Sequence, residues 1–130
     1  MLVLLFDGTC GICTRMVRWL RNADRAGHVE ALPSQLPGLI ERYGLTREAV
    51  DREVWAFDAA GNSWAGAAAI FRVLEALGGP WPTLARWARR TPFKQLSAVC
   101  YRAFARHRRL FARWGVPPEC ADPARGCLPP

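Results

Sequence analysis

Two cysteines spaced C-x-x-C, Cys10-Gly11-Ile12-Cys13, are the residues of this chain best suited to chemistry. They follow the apolar run Leu2-Val3-Leu4-Leu5-Phe6 and precede a helical pattern, so they fall at a strand-to-helix junction. One helical turn brings two sulfurs at this spacing within bonding reach. The first sulfur also lies beside the unpaired N–H groups and the positive end of the helix, which favours the thiolate, the reactive form. By position, Cys10 is the attacking thiol and Cys13 the resolving thiol that clears a mixed disulfide. Asp7, three residues before Cys10, has two readings. It is a carboxylate that takes a proton from one of the thiols, directly or through water, or a turn residue, because Asp-Gly is itself a turn signal.

The remaining cysteines offer other readings. Cys120 and Cys127 form a second pair, and four thiolates together would make a tetrahedral zinc site. Two observations favour redox chemistry over zinc. The second spacing exceeds the usual two to four residues, and a buried strand feeding an amphipathic helix is the context of a redox dithiol. The tail pair is then a disulfide, an exchange partner for Cys10, or two free thiols. Cys100 stands on an apolar helical stripe and is expected in the core. His107 shares that stripe and is expected to pack or lie at its edge rather than to catalyse. No second histidine stands at a ligand-like spacing from it.

The elements that must position Cys10 and Cys13 follow from periodicity. Leu2 to Phe6 reads as a strand buried on both faces. The helix that begins near Cys10 or Cys13 carries Ile12, Met16, Trp19, Leu20 and Ala23 as its core face, with Arg15, Arg18 and Arg21 on another side. Gly27 stops it. His28 to Leu32 alternates as a second strand, ended by Pro33. Leu36, Leu39, Ile40 and Tyr43 fit a short helix ended by Gly44, and Thr46 caps a further turn through Val50. Glu53 to Phe57 and Ser63 to Ala65 form a hairpin about the turn 58–62.

Ala67 to Leu77 is predicted as a helix with Ile70, Phe71, Leu74 and Leu77 on one face, ended by Gly78-Gly79-Pro80. Trp81-Pro82 leads into a short helix over Leu84–Arg90, and Trp81 packs or lines a pocket. Thr91-Pro92 then starts a long helix, with Thr91 as N-cap. Phe93, Leu96, Cys100, Phe104, His107, Phe111 and Trp114 mark its inner face. The order predicts a small three-layer α/β domain with a mixed sheet and additional C-terminal helices. A core over about residues 1–82, a helical extension over about 83–114 and a Pro- and Cys-containing tail over 115–130 make one domain.

Composition agrees. The chain has 130 residues, 51% hydrophobic and 22% charged, a globular mix that excludes an intrinsically disordered or low-complexity chain. No apolar run reaches the roughly 18 residues of a membrane span. The opening run lacks both the length and the preceding basic residue of a secretory signal. Five cysteines are an odd count for a secreted disulfide framework, so a reducing cytoplasm is the expected compartment.

Charge is uneven. Residues 1–82 hold eight Arg against nine acids, and residues 83–130 hold nine Arg and Lys94 against two acids. This basic layer is either a solvated face or a contact for an anionic surface or an acidic partner. No recognition motif accompanies it, which argues against nucleic acid, and the last long helix is only moderately amphipathic, which argues against a membrane.

Phe6-Asp7-Gly8-Thr9-Cys10-Gly11-Ile12-Cys13 resembles the D-G-x-C-x-x-C opening of the DCC family of thiol-disulfide oxidoreductases. Ala31-Leu32-Pro33-Ser34-Gln35, Leu77-Gly78-Gly79-Pro80-Trp81, Tyr101-Arg102-Ala103-Phe104-Ala105-Arg106 and Cys127-Leu128-Pro129 are similar to later family segments, so the likeness spans nearly the whole chain. The resemblance implies a thioredoxin-like fold and disulfide exchange through Cys10 and Cys13 with a thiol- or disulfide-containing protein or small molecule. It implies no organic cofactor, and an electron donor or acceptor completes the cycle. The chain departs from the pattern at His107-Arg108-Arg109, where the family often has Asn-Arg-Tyr, and at Cys120, which is additional. Asp51-Arg52-Glu53 precedes the third strand without the Pro that thioredoxins place there. A non-catalytic binding module, docking through the basic helices, and a zinc protein are the alternatives.

Overall fold

The computed structural model describes residues 1–90 and 93–113, with side chains over 1–90 and 95–107. The predicted N-cap Thr91 with Pro92, the side chains of Phe93 and Phe111, Trp114, and the tail pair Cys120 and Cys127 lie outside the described residues.

Strand β1 (Leu2–Phe6) leads through a short loop into α1 (Gly11–Ala23), followed by β2 (Val29–Pro33), α2 (Leu39–Arg42), α3 (Arg47–Arg52), β3 (Trp55–Phe57), β4 (Ser63–Ala65), α4 (Ala67–Ala76), α5 (Trp81–Ala88) and α6 (Phe93–Arg113). The four strands form one mixed sheet in the order β2-β1-β3-β4. β1 runs parallel to β2, with Leu4 opposite Ala31, and antiparallel to β3, with Leu4 opposite Ala56. The parallel pairing explains why a helix must separate β1 from β2, since a parallel partner cannot be reached by a tight turn.

Alternation along β1 divides the core. Leu2, Leu4 and Phe6 join Cys10, Cys13, Val17 and Leu20 of the α1 region and Ala69, Val73 and Leu77 of the α4 region in one buried cluster, against which Trp81 and Tyr101 pack. Leu5 faces the other way, and so do Trp55 and Phe57 by their register with it. There the Trp55 indole N–H donates to the Ala49 carbonyl at 3.2 Å, and Phe57 lies 4.5 Å from the Tyr43 ring. Helices therefore cover both faces of the sheet. The architecture is the expected α/β arrangement, consistent with a thioredoxin-like fold.

Several faces differ from the sequence reading. The buried residues of α1 are Gly11, Cys13, Thr14, Val17 and Leu20, whereas Met16 and Trp19 remain 40% and 43% exposed. The helix is turned so that its second cysteine faces the sheet, and Trp19 packs edge-on against Trp81, 5.0 Å between centroids. In α4 the sheet-facing positions are Ala69 and Val73, with Ile70 and Leu74 only partly buried. The small Ala69, fully buried, lets the helix approach the strands closely. The short helix before Gly44 is one turn, and α5 starts at Trp81 rather than Leu84.

The largest correction concerns α6. Cys100 is exposed, not in the core, and Leu96 is 59% exposed. The half-buried positions are Ser97, Ala98, Tyr101, Phe104 and Ala105, while His107 is exposed. The inner face is set by Tyr101, whose hydroxyl accepts the Val54 N–H at 2.9 Å. A buried backbone donor needs such a partner, and that need outranks the apolar count of the other stripe. No described helix is long and apolar enough to cross a membrane.

Candidate active site

The site is built at the carboxyl end of β1. Leaving the strand, the chain makes an Asx turn: the Asp7 carboxylate accepts the Thr9 N–H at 2.9 Å and the Thr9 hydroxyl at 2.6 Å. The Cys10 N–H donates to the Asp7 carbonyl at 3.2 Å, so the turn ends on the cysteine. The turn role of Asp7, one of its two sequence readings, is therefore occupied.

A second segment holds the turn from the side. Ser34 extends the pairing of β1 with β2 through its N–H, which donates to the Phe6 carbonyl at 2.8 Å. The next side chain, Gln35, donates from Nε2 to Asp7 at 2.8 Å and accepts the Gly8 N–H on Oε1 at 3.0 Å. Ser34 is 1% exposed and is held by Arg47, whose guanidinium donates to its carbonyl at 2.9 Å and its hydroxyl at 3.3 Å. Periodicity marks neither Gln35 nor Arg47, because their partners are 28 and 13 positions away; for Gln35 the signal in the sequence is the family-like segment Ala31 to Gln35.

Cys10 is the N-cap of α1, with extended backbone at φ −88° and ψ 117°. Its Sγ accepts the Cys13 N–H at 3.3 Å. The cap is one a serine or aspartate oxygen commonly supplies. With sulfur in that place, an orphan helix donor points at the thiol, and the first turn of α1 contains no acid to oppose a negative charge there. The two cysteines are thus brought together as their spacing requires, and both are thiols. Both are also shielded, at 8% and 5% exposure. Thr14 closes the first turn by donating its hydroxyl to the Gly11 carbonyl at 2.9 Å.

The surroundings of Cys13 are apolar. A cavity of about 240 Å³ opens between α1 and α6, walled by Cys13, Met16, Phe6, Val54, Tyr101 and Phe104 among others. It also reaches Val54, the residue immediately before β3. Here the Val54 N–H is taken by Tyr101, so α6 stands over that edge. A second cavity, about 430 Å³, lies on the other side of Tyr101, between Glu53, Trp64, Phe71 and Arg102. Among the described residues no group of three His, Cys, Asp or Glu is placed to hold a metal ion.

The model of DCC1-like thiol-disulfide oxidoreductases matches residues 4–114, which spans the strand, the dithiol, the sheet and α6. The chain belongs to the DCC1-like thiol-disulfide oxidoreductase family. The DCC1-like assignment supports a redox role for the chain, acting on thiol or disulfide substrates. No curated protein and no solved structure matches it. In this DCC1-like chain the Asp-Gly-x-Cys opening forms one hydrogen-bonded unit: the Asx turn, the Gln35 bridge and the sulfur N-cap are consecutive.

Proposed function

We propose that the protein is a thiol-disulfide oxidoreductase in which Cys10 is the nucleophile and Cys13 the resolving thiol. The observation that supports it is the Cys13 N–H directed at Cys10 Sγ, 3.3 Å away, at the start of a thirteen-residue helix. Ionised Cys10 attacks one sulfur of a substrate disulfide. That S–S bond breaks, the distal sulfur leaves as a thiolate and takes up a proton, and a Cys10–substrate disulfide forms. Cys13, deprotonated in turn, attacks Cys10 Sγ, and the second substrate thiol leaves. The substrate gains two electrons and two protons, and the dithiol becomes a Cys10–Cys13 disulfide. An external thiol reductant restores it, or an oxidant drives the same steps backwards. The step needs no organic cofactor or metal.

Asp7 acts in this scheme as a positioning residue through the turn it holds. The burial of both cysteine residues, 8% and 5% exposed, favours a substrate whose disulfide is accessible at a chain end or loop tip, or a small-molecule disulfide. An odd cysteine count suits work in a reducing compartment such as the cytoplasm.

The test is equilibration of the purified chain in glutathione buffers of defined ratio, followed by alkylation and mass measurement, with metal content assayed on the same sample. A reversible loss of two alkylatable thiols, mapped to Cys10 and Cys13, is expected. Cys10→Ser should abolish reduction of a model disulfide, and Cys13→Ser should accumulate mixed disulfides. Thiols that never pair, stoichiometric zinc, or full activity in Cys10→Ser would remove this assignment.

A further inference from the structure

Helix α6 is apolar on two sides. Its inner side, through Ala98, Tyr101, Phe104 and Ala105, meets the body of the protein. Its outer side carries Leu96, Val99, Cys100 and Ala103, spaced by three or four residues and all exposed, Leu96 at 59% and Val99 at 60%. On the preceding helix, Leu84 and Trp87 show the same i, i+3 spacing at 50% and 54% exposure. A helix with apolar residues on both sides is ordinarily covered on both, and an exposed apolar stripe along a helix, as on α6, marks a contact surface.

Charge decides what covers it. Residues 81–113 contain nine Arg and Lys and no Asp or Glu. Arg89 is paired to Glu75 at 2.7 Å, whereas Arg86, Arg90, Arg102 and Arg106 are exposed. A second copy of the chain on this face would set cations against cations. A nucleic acid would leave the Leu, Val and Trp side chains without a use. A protein partner ordinarily anchors a large side chain in a pocket, and neither cavity is lined by Leu96, Val99 or Cys100. A bilayer needs no pocket. It takes Trp, Leu and Val into the boundary below the headgroups while arginines extend their stems towards anionic phosphates.

We propose that α5 and the outer stripe of α6 form a peripheral docking surface for an anionic lipid membrane. The helices lie on the surface and do not span it. The inference is independent of the redox assignment, because neither Leu96 nor Val99 lines the cavity beside Cys13.

Co-sedimentation of the 130-residue chain with vesicles tests it. The chain is expected to bind phosphatidylcholine vesicles containing phosphatidylglycerol and not those of phosphatidylcholine alone, and to be released by high salt. Leu96→Ser with Val99→Ser, and separately Arg86→Glu with Arg106→Glu, should each weaken binding by about tenfold or more while far-ultraviolet circular dichroism stays unchanged. All four positions are exposed, so the fold is expected to survive. Absence of binding to the anionic vesicles overturns the proposal. So does binding that the Leu96/Val99 variant leaves intact, since the apolar stripe would then play no part. Capture by polyglutamate without vesicle binding would assign the face to an acidic protein instead. A dimer lost in the same variant would assign it to a second copy, and either result also overturns the proposal.

Discussion

The Gln35 side chain closes a ring with Asp7 and Gly8, giving one hydrogen bond to the carboxylate and taking one from the backbone. A residue from the segment after β2 thereby fixes the turn that delivers Cys10 to the start of α1. Gln35→Leu keeps the volume and removes both bonds. With a net value of about 1 kcal/mol per hydrogen bond, and more where Gly8 N–H is left unpaired, unfolding stability should fall by about 1–3 kcal/mol in urea titration. Alkylation of Cys10 at neutral pH should also slow, because a looser turn weakens the alignment of Cys10 Sγ with the Cys13 N–H. Lower stability with an unchanged alkylation rate would leave Gln35 a structural residue only.

Tyr101 carries a second long-range bond, its hydroxyl accepting the Val54 N–H across 47 positions. Tyr101→Phe retains the ring and its packing and leaves that N–H unpaired. The expected cost is about 1–3 kcal/mol, and amide exchange at Val54 should quicken more than at Leu4 in the sheet centre. Equal exchange rates in the two proteins would mean that the ring alone holds α6 in place.

Gly66 is required where Tyr101 and Glu53 meet the start of α4. Its φ is +61°, and a Cβ there would lie 2.7 Å from a Glu53 carboxylate oxygen and 3.4 Å from the Tyr101 ring. Gly66→Ala combines backbone strain with displacement of both neighbours, for an expected loss of about 1–3 kcal/mol in urea titration. Stability within error of the parent would show that Glu53 swings away freely and that the strain is absorbed.

Legibility in the sequence followed the range of the interactions. The five-residue strand, the dithiol at its end, the Asp-Gly turn and the order of strands and helices are local signals, and the structure has them at the expected positions. The rotation of α1, the bridge from Gln35 and the seat of Tyr101 depend on residues far apart in the chain, where periodicity carries no information. Met16 and Trp19 illustrate the limit: both satisfy a helical apolar stripe, yet the burial of Cys13, Val17 and Leu20 turns them outward towards α5 and α6.

Asp58 offers a pH test of the β3–β4 turn. Its carboxylate accepts the Asn62 side-chain amide at 2.9 Å and the Asn62 N–H at 2.8 Å, and these bonds, the side-chain one foremost, hold its pKa below the ordinary carboxylate value. A depressed folded-state pKa stabilises the protein above the unfolded-state value and loses that contribution as pH falls through the folded value. Asp58→Ala should therefore lower the thermal midpoint at neutral pH slightly and converge with the parent in acid. A difference independent of pH would show that the ionised carboxylate is not the stabilising form.

Cys100 separates the two possible faces of α6. A stripe from Leu96 through Cys100 to Phe104 predicts a buried thiol, whereas the Tyr101 seat turns it to solvent. Substituting serine for a core cysteine would bury a hydroxyl and cost on the order of 1–3 kcal/mol. At an exposed position Cys100→Ser should change stability by no more than about 0.5 kcal/mol. In the native protein Cys100 should also react with a bulky maleimide faster than Cys10 or Cys13, which are 8% and 5% exposed. A large loss of stability together with slow labelling would return Cys100 to the core and require α6 to be rotated about its axis, breaking the Tyr101–Val54 bond.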